Sequence, residues 1–300
     1  SDVGSEGAEN AVEAAFKAFG TWSRETSENR AKLLMKWFEV IINNRNELSE
    51  IVTLESGKPL KESLVEVEYG ASFIKWFAEQ AKRIEGSLLS SPDKKKRMLI
   101  LKQPVGVVSA ITPWNFPVAM IARKASAAIA AGCTIVLKPS ELTPLSANKL
   151  GEYSIKAGIP NGVFNIVNGM PEPIGEILST HRLVSKITFT GSTNVGKLLM
   201  RNASKTIKGV SLELGGNAPF IIFEDVNIEK AIEGLIMSKF RNAGQTCISA
   251  NRVFVHNKIH DEFVEKLKEK VNSLKVGDGL ENSDIGPLIS EKALVKVEKN

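Results

Sequence analysis

Apolar positions recur at helical spacing through the first ninety residues. In RAKLLMKWFEVII, Leu33, Leu34, Trp37, Phe38, Ile41 and Ile42 fall on one side of a 3.6-residue period, and ESLVEVEYGASFIKWFAEQAKRI continues it, so this part of the chain predicts helices. The polar run SSPDKKKR predicts a solvated loop. It is followed by MLILKQPVGVVSAI, which Gln103, Pro104 and Gly106 divide into two predicted strands. Beyond that point the period changes. Short β-branched runs (GVVSAI, CTIVLK, VFNIV, KITFTG, VSLELG) alternate with helix-length stretches such as VAMIARKASAAIAAG and SANKLGEYSIKAG. That alternation predicts repeated βαβ units around a parallel sheet. Ser140 and Thr143 precede a predicted helix, Gly132 and Gly158 close predicted helices, and Pro160 follows closely. A second α/β segment opens at GGNAPFIIFEDVNIEKAIEGLIMSKF, and EKALVKVEKN reads as a helix still in progress. No repeat or low-complexity tract interrupts the chain.

Composition narrows the class of protein. With 300 residues, 43% of them hydrophobic and 24% charged, the chain has material for about two domains. The net charge of +5 is spread among interspersed acids and bases, which argues against a nucleic-acid surface. Cys133 and Cys247 form neither a disulfide framework nor a metal-ligand pair, and His181, His256 and His260 make no ligand cluster. No apolar run approaches the ~18 to 20 residues of a membrane helix, and the acidic start SDVGSEGAEN lacks the features of a signal peptide. The expectation is a cytoplasmic or mitochondrial-matrix protein with no nucleic-acid or membrane partner and no metal.

Ligands of open parallel sheets gather at the carboxyl ends of the strands, and five turns there carry unusual polar residues. TPWNFP holds Asn115 in a stiff apolar collar, and KPSE sets a cation beside an anion. FTGSTNVG places Gly191 and Gly196 at a helix start, where backbone N–H groups could face a phosphate. LELGG puts Glu213 in an apolar strand before two glycines, and GQTC carries Cys247. Singly, Asn115 reads as a turn former, Lys138 as a surface charge, Glu213 as a strand end and Cys247 as a small buried hydrophobe. Cys133, in AAGCTIV, has only the structural reading.

Together, PWNFP, KPSE, FTGSTNVG, LELGG and GQTC resemble the NAD(P)-dependent aldehyde dehydrogenase superfamily, in the family's order and approximate spacing across essentially the whole chain. The resemblance implies an α/β fold with a Rossmann-type parallel-sheet cofactor domain over residues 1–89 and 105–214, an oligomerisation hairpin over 90–104, and an incomplete second α/β catalytic domain over 215–300. It implies Cys247 as nucleophile, Glu213 as general base and Asn115 as oxyanion donor. Thr112, Pro113, Trp114, Lys138, Ser140, Glu141, Gly191, Ser192, Gly196, Leu214 and Gly215 are implied to hold the cofactor. The chemistry is consistent: a thiolate attacks an aldehyde carbon, an amide and a backbone N–H hold the resulting oxyanion, and a carboxylate activates water to hydrolyse the thioester.

Arg123 and Arg241 resemble the arginine pair of succinate-semialdehyde dehydrogenases, implying a fork that binds the distal carboxylate of the substrate. FRNAGQTC resembles that subfamily, whereas IARK also resembles lactaldehyde-type members. Ser249 stands where the subfamily often has a second cysteine, which excludes a disulfide switch with Cys247. Lys138 and Glu141 are implied contacts of the adenosine ribose. A carboxylate there repels a 2′-phosphate, so NAD is the expected cofactor, with NADP tolerated through Lys138 and Ser140. The family's first strands, its E-x-F-G-P stretch and its C-terminal strand are not found, so the chain reads as a fragment of a homo-oligomeric (dimeric or tetrameric) parent. Two rivals remain: a non-catalytic structural homologue, and a coenzyme A-dependent acylating enzyme, against which Glu213 argues.

Overall fold

The computed structural model describes residues 2–299; Ser1 and Asn300, the outer limits of the expected domains, lie outside them. The chain divides into two compact units. One comprises the chain up to Leu48 together with Val67–Glu213, the other Ser49–Glu66 together with everything from Leu214.

Four helices open the chain, as the period predicts: α1 (Gly4–Trp22), α2 (Ser27–Asn43), α3 (Arg45–Ser56) and α4 (Leu60–Ala81). Thr26 caps α2 by accepting the Asn29 N–H at 3.2 Å. A hairpin follows, β1 (Ser87–Leu89) antiparallel to β2 (Met98–Ile100), with Leu88 opposite Leu99. Its strands lie slightly earlier than the expected 90–104, and SSPDKKKR forms its connection. Gly86 sets the starting point, since a Cβ there would sit 2.4 Å from the Ile100 carbonyl oxygen.

Five parallel strands form the first unit's sheet: β3 (Val107–Ile111), β4 (Thr134–Lys138), β5 (Phe164–Ile166), β6 (Val184–Thr190) and β7 (Gly209–Glu213), in the order β5-β4-β3-β6-β7. All five coincide with predicted runs. β4 is buried along its whole length, so both sheet faces need cover. On one face α1 and α7 (Pro171–Thr180) supply Ala8, Val12, Ala15, Ile174 and Leu178 against Val107, Val136 and Val184. α5 (Pro117–Ala130) and α6 (Pro144–Lys156) pack on the sheet as well, and both touch α2. The Trp22 indole N–H donates to the Ile129 carbonyl and that of Trp37 to the Leu150 carbonyl, at 3.3 and 3.2 Å. Gly132 and Gly158, at φ +84° and +89°, end α5 and α6 in the left-handed conformation that glycine adopts without cost. α8 (Thr193–Ser204) connects β6 to β7.

The second unit contains β8 (Ala218–Ile222), α9 (Ile228–Phe240) and β9 (Ala250–Val255), a single βαβ turn with parallel strands, followed by α10 (His260–Asn272) and α11 (Glu291–Glu298). Ile222, Ile232, Leu235, Ala250 and Phe263 form its core. Residues 1–89 are expected in one domain; Ser49–Glu66 of them is grouped with the second compact unit. Within that unit the Lys58 ammonium and Glu66 carboxylate form a buried ion pair at 2.5 Å, and the Leu60 N–H donates to the Gly279 carbonyl at 2.9 Å. The backbone at Gly286 presses so close to Gly57 that any Cβ would clash with its carbonyl oxygen. The division at Glu213 falls one residue before the expected domain boundary.

Candidate functional site

Numbered by their own sequence, the five parallel strands run 3-2-1-4-5, the order of a doubly wound dinucleotide fold whose ligand crevice opens where the order reverses, between β3 and β6. Several candidate residues follow from that topology. Thr112, Pro113, Trp114 and Asn115 leave the carboxyl end of β3, Lys138, Ser140 and Glu141 that of β4, and Gly191 and Ser192 that of β6, while Glu213 ends β7. These are four neighbouring strands, so the sheet brings the three β3, β4 and β6 turns and Glu213 to one edge.

The Thr112 and Thr190 hydroxyls, at the two strands flanking the reversal, are buried and have no hydrogen-bond partner among the described residues. Such groups need a polar partner from elsewhere. Lys138 is buried, and its Nζ donates to the Pro139 carbonyl and to Glu141 Oε2, both at 2.9 Å. Burial raises the Glu141 pKa, but hydrogen bonds from its own backbone N–H and Lys138 outweigh it, leaving the carboxyl below its usual range. Ser140 Oγ accepts the Leu142 N–H at 3.2 Å.

The glycine turn differs from expectation. The Gly191 N–H donates to the Glu213 carbonyl and the Gly196 N–H to the Ser192 carbonyl, both at 3.0 Å, so neither is available to an anion. Ser192 caps α8 by accepting the Val195 N–H. The N–H groups left without an intrahelical acceptor in this first turn belong to Thr193 and Asn194.

Glu213 and Arg123 line a cleft of about 870 Å³ in the first unit, with Lys124, Lys186, Phe73 and Trp76. The Arg123 guanidinium lies 4.7 Å from the Phe73 ring centroid, a cation–π seat. Its neighbour Lys124 escaped the sequence reading. Its Nζ donates to Thr188 Oγ1 at 2.9 Å, and burial pulls its pKa down to about 8, with the Glu213 carboxylate counteracting. The sequence held a signal: a lysine inside an otherwise apolar helix face, where α5 is buried almost throughout. Cys133 is buried, and burial pushes its thiol pKa up, which suits a structural role.

Leu214, Gly215, Arg241 and Cys247 belong to the second unit. Cys247 is exposed on a turn between a 3₁₀ segment, Arg241–Gly244, and β9. Asn242 (φ 53°, ψ 39°) and Ala243 (φ 55°, ψ 32°) are both left-handed, followed by Gly244 at φ +77°. For alanine this conformation costs roughly 1–2 kcal/mol, while asparagine tolerates it better. The Asn242 N–H donates to Glu62 Oε2 at 2.8 Å. Burial pushes the Glu62 carboxyl above its ordinary range, partly offset by the Asn242 N–H and by the charges of Lys58, Arg241 and Lys61. Among the described residues no group of three or more His, Cys, Asp or Glu is arranged to hold a metal ion, and no helix is long and apolar enough to cross a membrane.

A family model described as "Aldehyde dehydrogenase family" matches residues 1–300. The NADP(+)-named succinate-semialdehyde dehydrogenase of Escherichia coli strain K12 is 51% identical over 99% of this chain and 62% of its own length. A glutarate-semialdehyde dehydrogenase of Pseudomonas putida strain KT2440 is 52% identical over 97% of the chain and 61% of its length, and a 3-sulfolactaldehyde dehydrogenase of Pseudomonas putida 49% identical over 99% and 62%. The crystal structure of succinate-semialdehyde dehydrogenase from Burkholderia pseudomallei superposes with a TM-score of 0.98 at 49% identity, covering 99% of this chain and 62% of that one. Betaine aldehyde dehydrogenase from Staphylococcus aureus, in complex with NAD+, superposes with a TM-score of 0.98 at 36% identity, covering 100% and 60%. The chain thus spans about three fifths of the length of these relatives.

Proposed function

Since the chain belongs to the aldehyde dehydrogenase family, we propose that its complete protein oxidises a small aldehyde bearing a distal anionic group to the carboxylic acid, with succinate semialdehyde as the leading substrate. One observation carries this reading. The relatives at 49–52% identity are named for succinate semialdehyde, glutarate semialdehyde and 3-sulfolactaldehyde, and each of those aldehydes carries a carboxylate or sulfonate at its other end. Arg241 and Arg123 are the cations assigned to that anion.

In this reading the Cys247 thiolate attacks the aldehyde carbon and forms a hemithioacetal, whose oxyanion is held by the Asn115 amide and the Cys247 N–H. When bound, a nicotinamide dinucleotide would supply the hydride acceptor for oxidation of this adduct to the thioester level. Glu213 then removes a proton from water, which releases the acid and frees the thiolate. The unpartnered Thr112 and Thr190 hydroxyls and the start of α8 at the strand-order reversal fit a dinucleotide. Thr112, Pro113, Trp114, Lys138, Ser140, Glu141, Ser192, Leu214 and Gly215 are assigned to holding it, with Gly191 and Gly196 shaping the turn. Glu141 is assigned to the ribose, where its carboxylate would favour NAD, and the Lys138 ammonium paired with it would leave NADP usable. The hairpin exposes Leu88, Leu99 and Leu101 at 66%, 68% and 75%, which supports self-association of the parent. A cytoplasmic or matrix location belongs to the same reading.

The test is an aldehyde panel on the complete protein. Succinate semialdehyde should exceed butanal in kcat/KM, and Arg241→Ala should cost the semialdehyde roughly tenfold to a hundredfold while leaving butanal nearly unchanged. Butanal or lactaldehyde matching succinate semialdehyde would sink the proposal.

A further inference from the structure

The turn between α9 and β9 holds a conformation that its own residues do not favour. Ala243 has no side-chain atom beyond Cβ to stabilise a left-handed backbone, yet it keeps φ 55° directly after left-handed Asn242. Support comes from its two ends. At the start, the Asn242 N–H is received by Glu62 Oε2 at 2.8 Å, from the first turns of α4 and 180 residues away in sequence. At the end, Gln245 Oε1 receives the Ile289 N–H at 3.0 Å. Asn242 and Gln245 are joined to each other: Asn242 Nδ2 donates to the Gln245 carbonyl at 3.3 Å, and Gln245 Nε2 to the Asn242 carbonyl at 3.0 Å. The Asn242 side chain is buried inside this bracket. A carboxylate receiving a backbone N–H makes the stronger, charge-assisted kind of bond, so Glu62 is the anchor whose loss should loosen the turn most.

We propose that Glu62 is a positioning residue that locks the left-handed turn between Arg241 and Cys247, and so fixes how the thiol and the guanidinium are presented relative to each other. This rests on reading Cys247 as the nucleophile and Arg241 as the anion-binding cation. Glu62 touches no reacting atom. It acts through the Asn242 backbone, where relaxation would redirect the adjacent Arg241 and loosen the turn that leads to Cys247.

The experiment uses the complete protein and two readouts: iodoacetamide labelling of Cys247, followed by peptide mass spectrometry, and steady-state oxidation of succinate and glutarate semialdehydes. Glu62→Ala should change the Cys247 labelling rate at least threefold, lower kcat/KM for succinate semialdehyde about tenfold, and narrow the preference between the two chain lengths. Glu62→Gln keeps an acceptor oxygen and should retain most of both rates. The decisive variant is Ala243→Gly in the Glu62→Ala background. Glycine adopts the left-handed turn without strain, so it should reverse at least half of each change, a rescue that a general structural role for Glu62 would not give. Glu62→Ala within twofold of wild type in both readouts, or no rescue by Ala243→Gly, would overturn the proposal. If Glu62→Ala does not fold, amide exchange in Glu62→Gln decides. The Asn242 amide should exchange three- to tenfold faster while β9 is unchanged, and equal exchange would overturn the proposal. Labelling needs neither aldehyde nor cofactor, so it tests Glu62 even if Cys247→Ala retains turnover and the nucleophile assignment falls.

Discussion

The two units hold their candidate residues by different means. In the first, Thr112, Lys138, Thr190 and Glu213 are placed by a ladder of parallel strands; β3 and β4 lie within a layered core, and Glu213 is the last residue of an edge strand. In the second, Cys247 follows a turn with two left-handed non-glycine residues, beside a two-stranded sheet whose β9 is largely exposed. Backbone geometry suffices for the first; the second depends on side chains, chiefly Glu62, Asn242 and Gln245. A ladder is tolerant of surface change and sensitive to volume, whereas a bracketed turn is sensitive to single hydrogen bonds.

The largest expected effect separates the chemistry assigned to each unit. Cys247→Ala should reduce turnover of the complete protein to background, while Glu213→Gln should preserve the initial burst of reduced cofactor and stall the later step; stopped-flow absorbance distinguishes the two. Steady turnover in Cys247→Ala would remove the assignment. Next, Leu137→Ala, in the fully buried β4, should cost about 2–5 kcal/mol in denaturant unfolding, against less than about 0.5 kcal/mol for Ile248→Ala, whose side chain is exposed. Equal losses would erase the contrast between ladder and turn.

A third effect is a pH dependence specific to the first unit. The folded pKa of Lys124, about 8, lies below its unfolded value near 10.4. Between those values the unfolded chain binds more protons, so stability rises with pH, and below about 8 the full penalty of a buried charge is present. Wild type should therefore gain up to about 3 kcal/mol relative to Lys124→Met between pH 8 and 10.5. Parallel stability profiles for the two proteins would contradict the burial of a charged Lys124. The smallest effect belongs to the turn: Ala243→Gly should stabilise the second unit by about 1 kcal/mol, read from its unfolding midpoint. Destabilisation would mean that Ala243 is not strained.

The period of the apolar residues located all five parallel strands, because each is a short β-branched run bounded by glycine, proline or polar turns. It also located Gly132 and Gly158 as helix ends, since a left-handed residue there is written in the glycine itself. The turns bearing Asn115, Lys138, Glu141 and Glu213 followed from strand ends and from the family resemblance. Three features were not legible. Ser49–Glu66 reads as ordinary helix, and its contacts far away in sequence, among them those with Asn242, Gly279, Asp284 and Gly286, group it with the second unit. Ala243 carries no mark of its conformation, which distant anchors impose. The donors of Gly191 and Gly196 looked available because sequence does not reveal which carbonyls will reach them.

The tryptophans that tie the helical layers together also make the first unit optically visible on its own. All four in the chain, Trp22, Trp37, Trp76 and Trp114, fall within it. Trp22 and Trp37 are buried and hydrogen-bonded to carbonyls, so they should emit at short wavelength until the layers separate. The second unit contributes no indole signal. Far-ultraviolet circular dichroism records both units, so a dichroism transition that fails to coincide with the fluorescence transition would show that the two melt separately. With one instrument the protein would appear to unfold once; with two, each unit acquires its own melting curve.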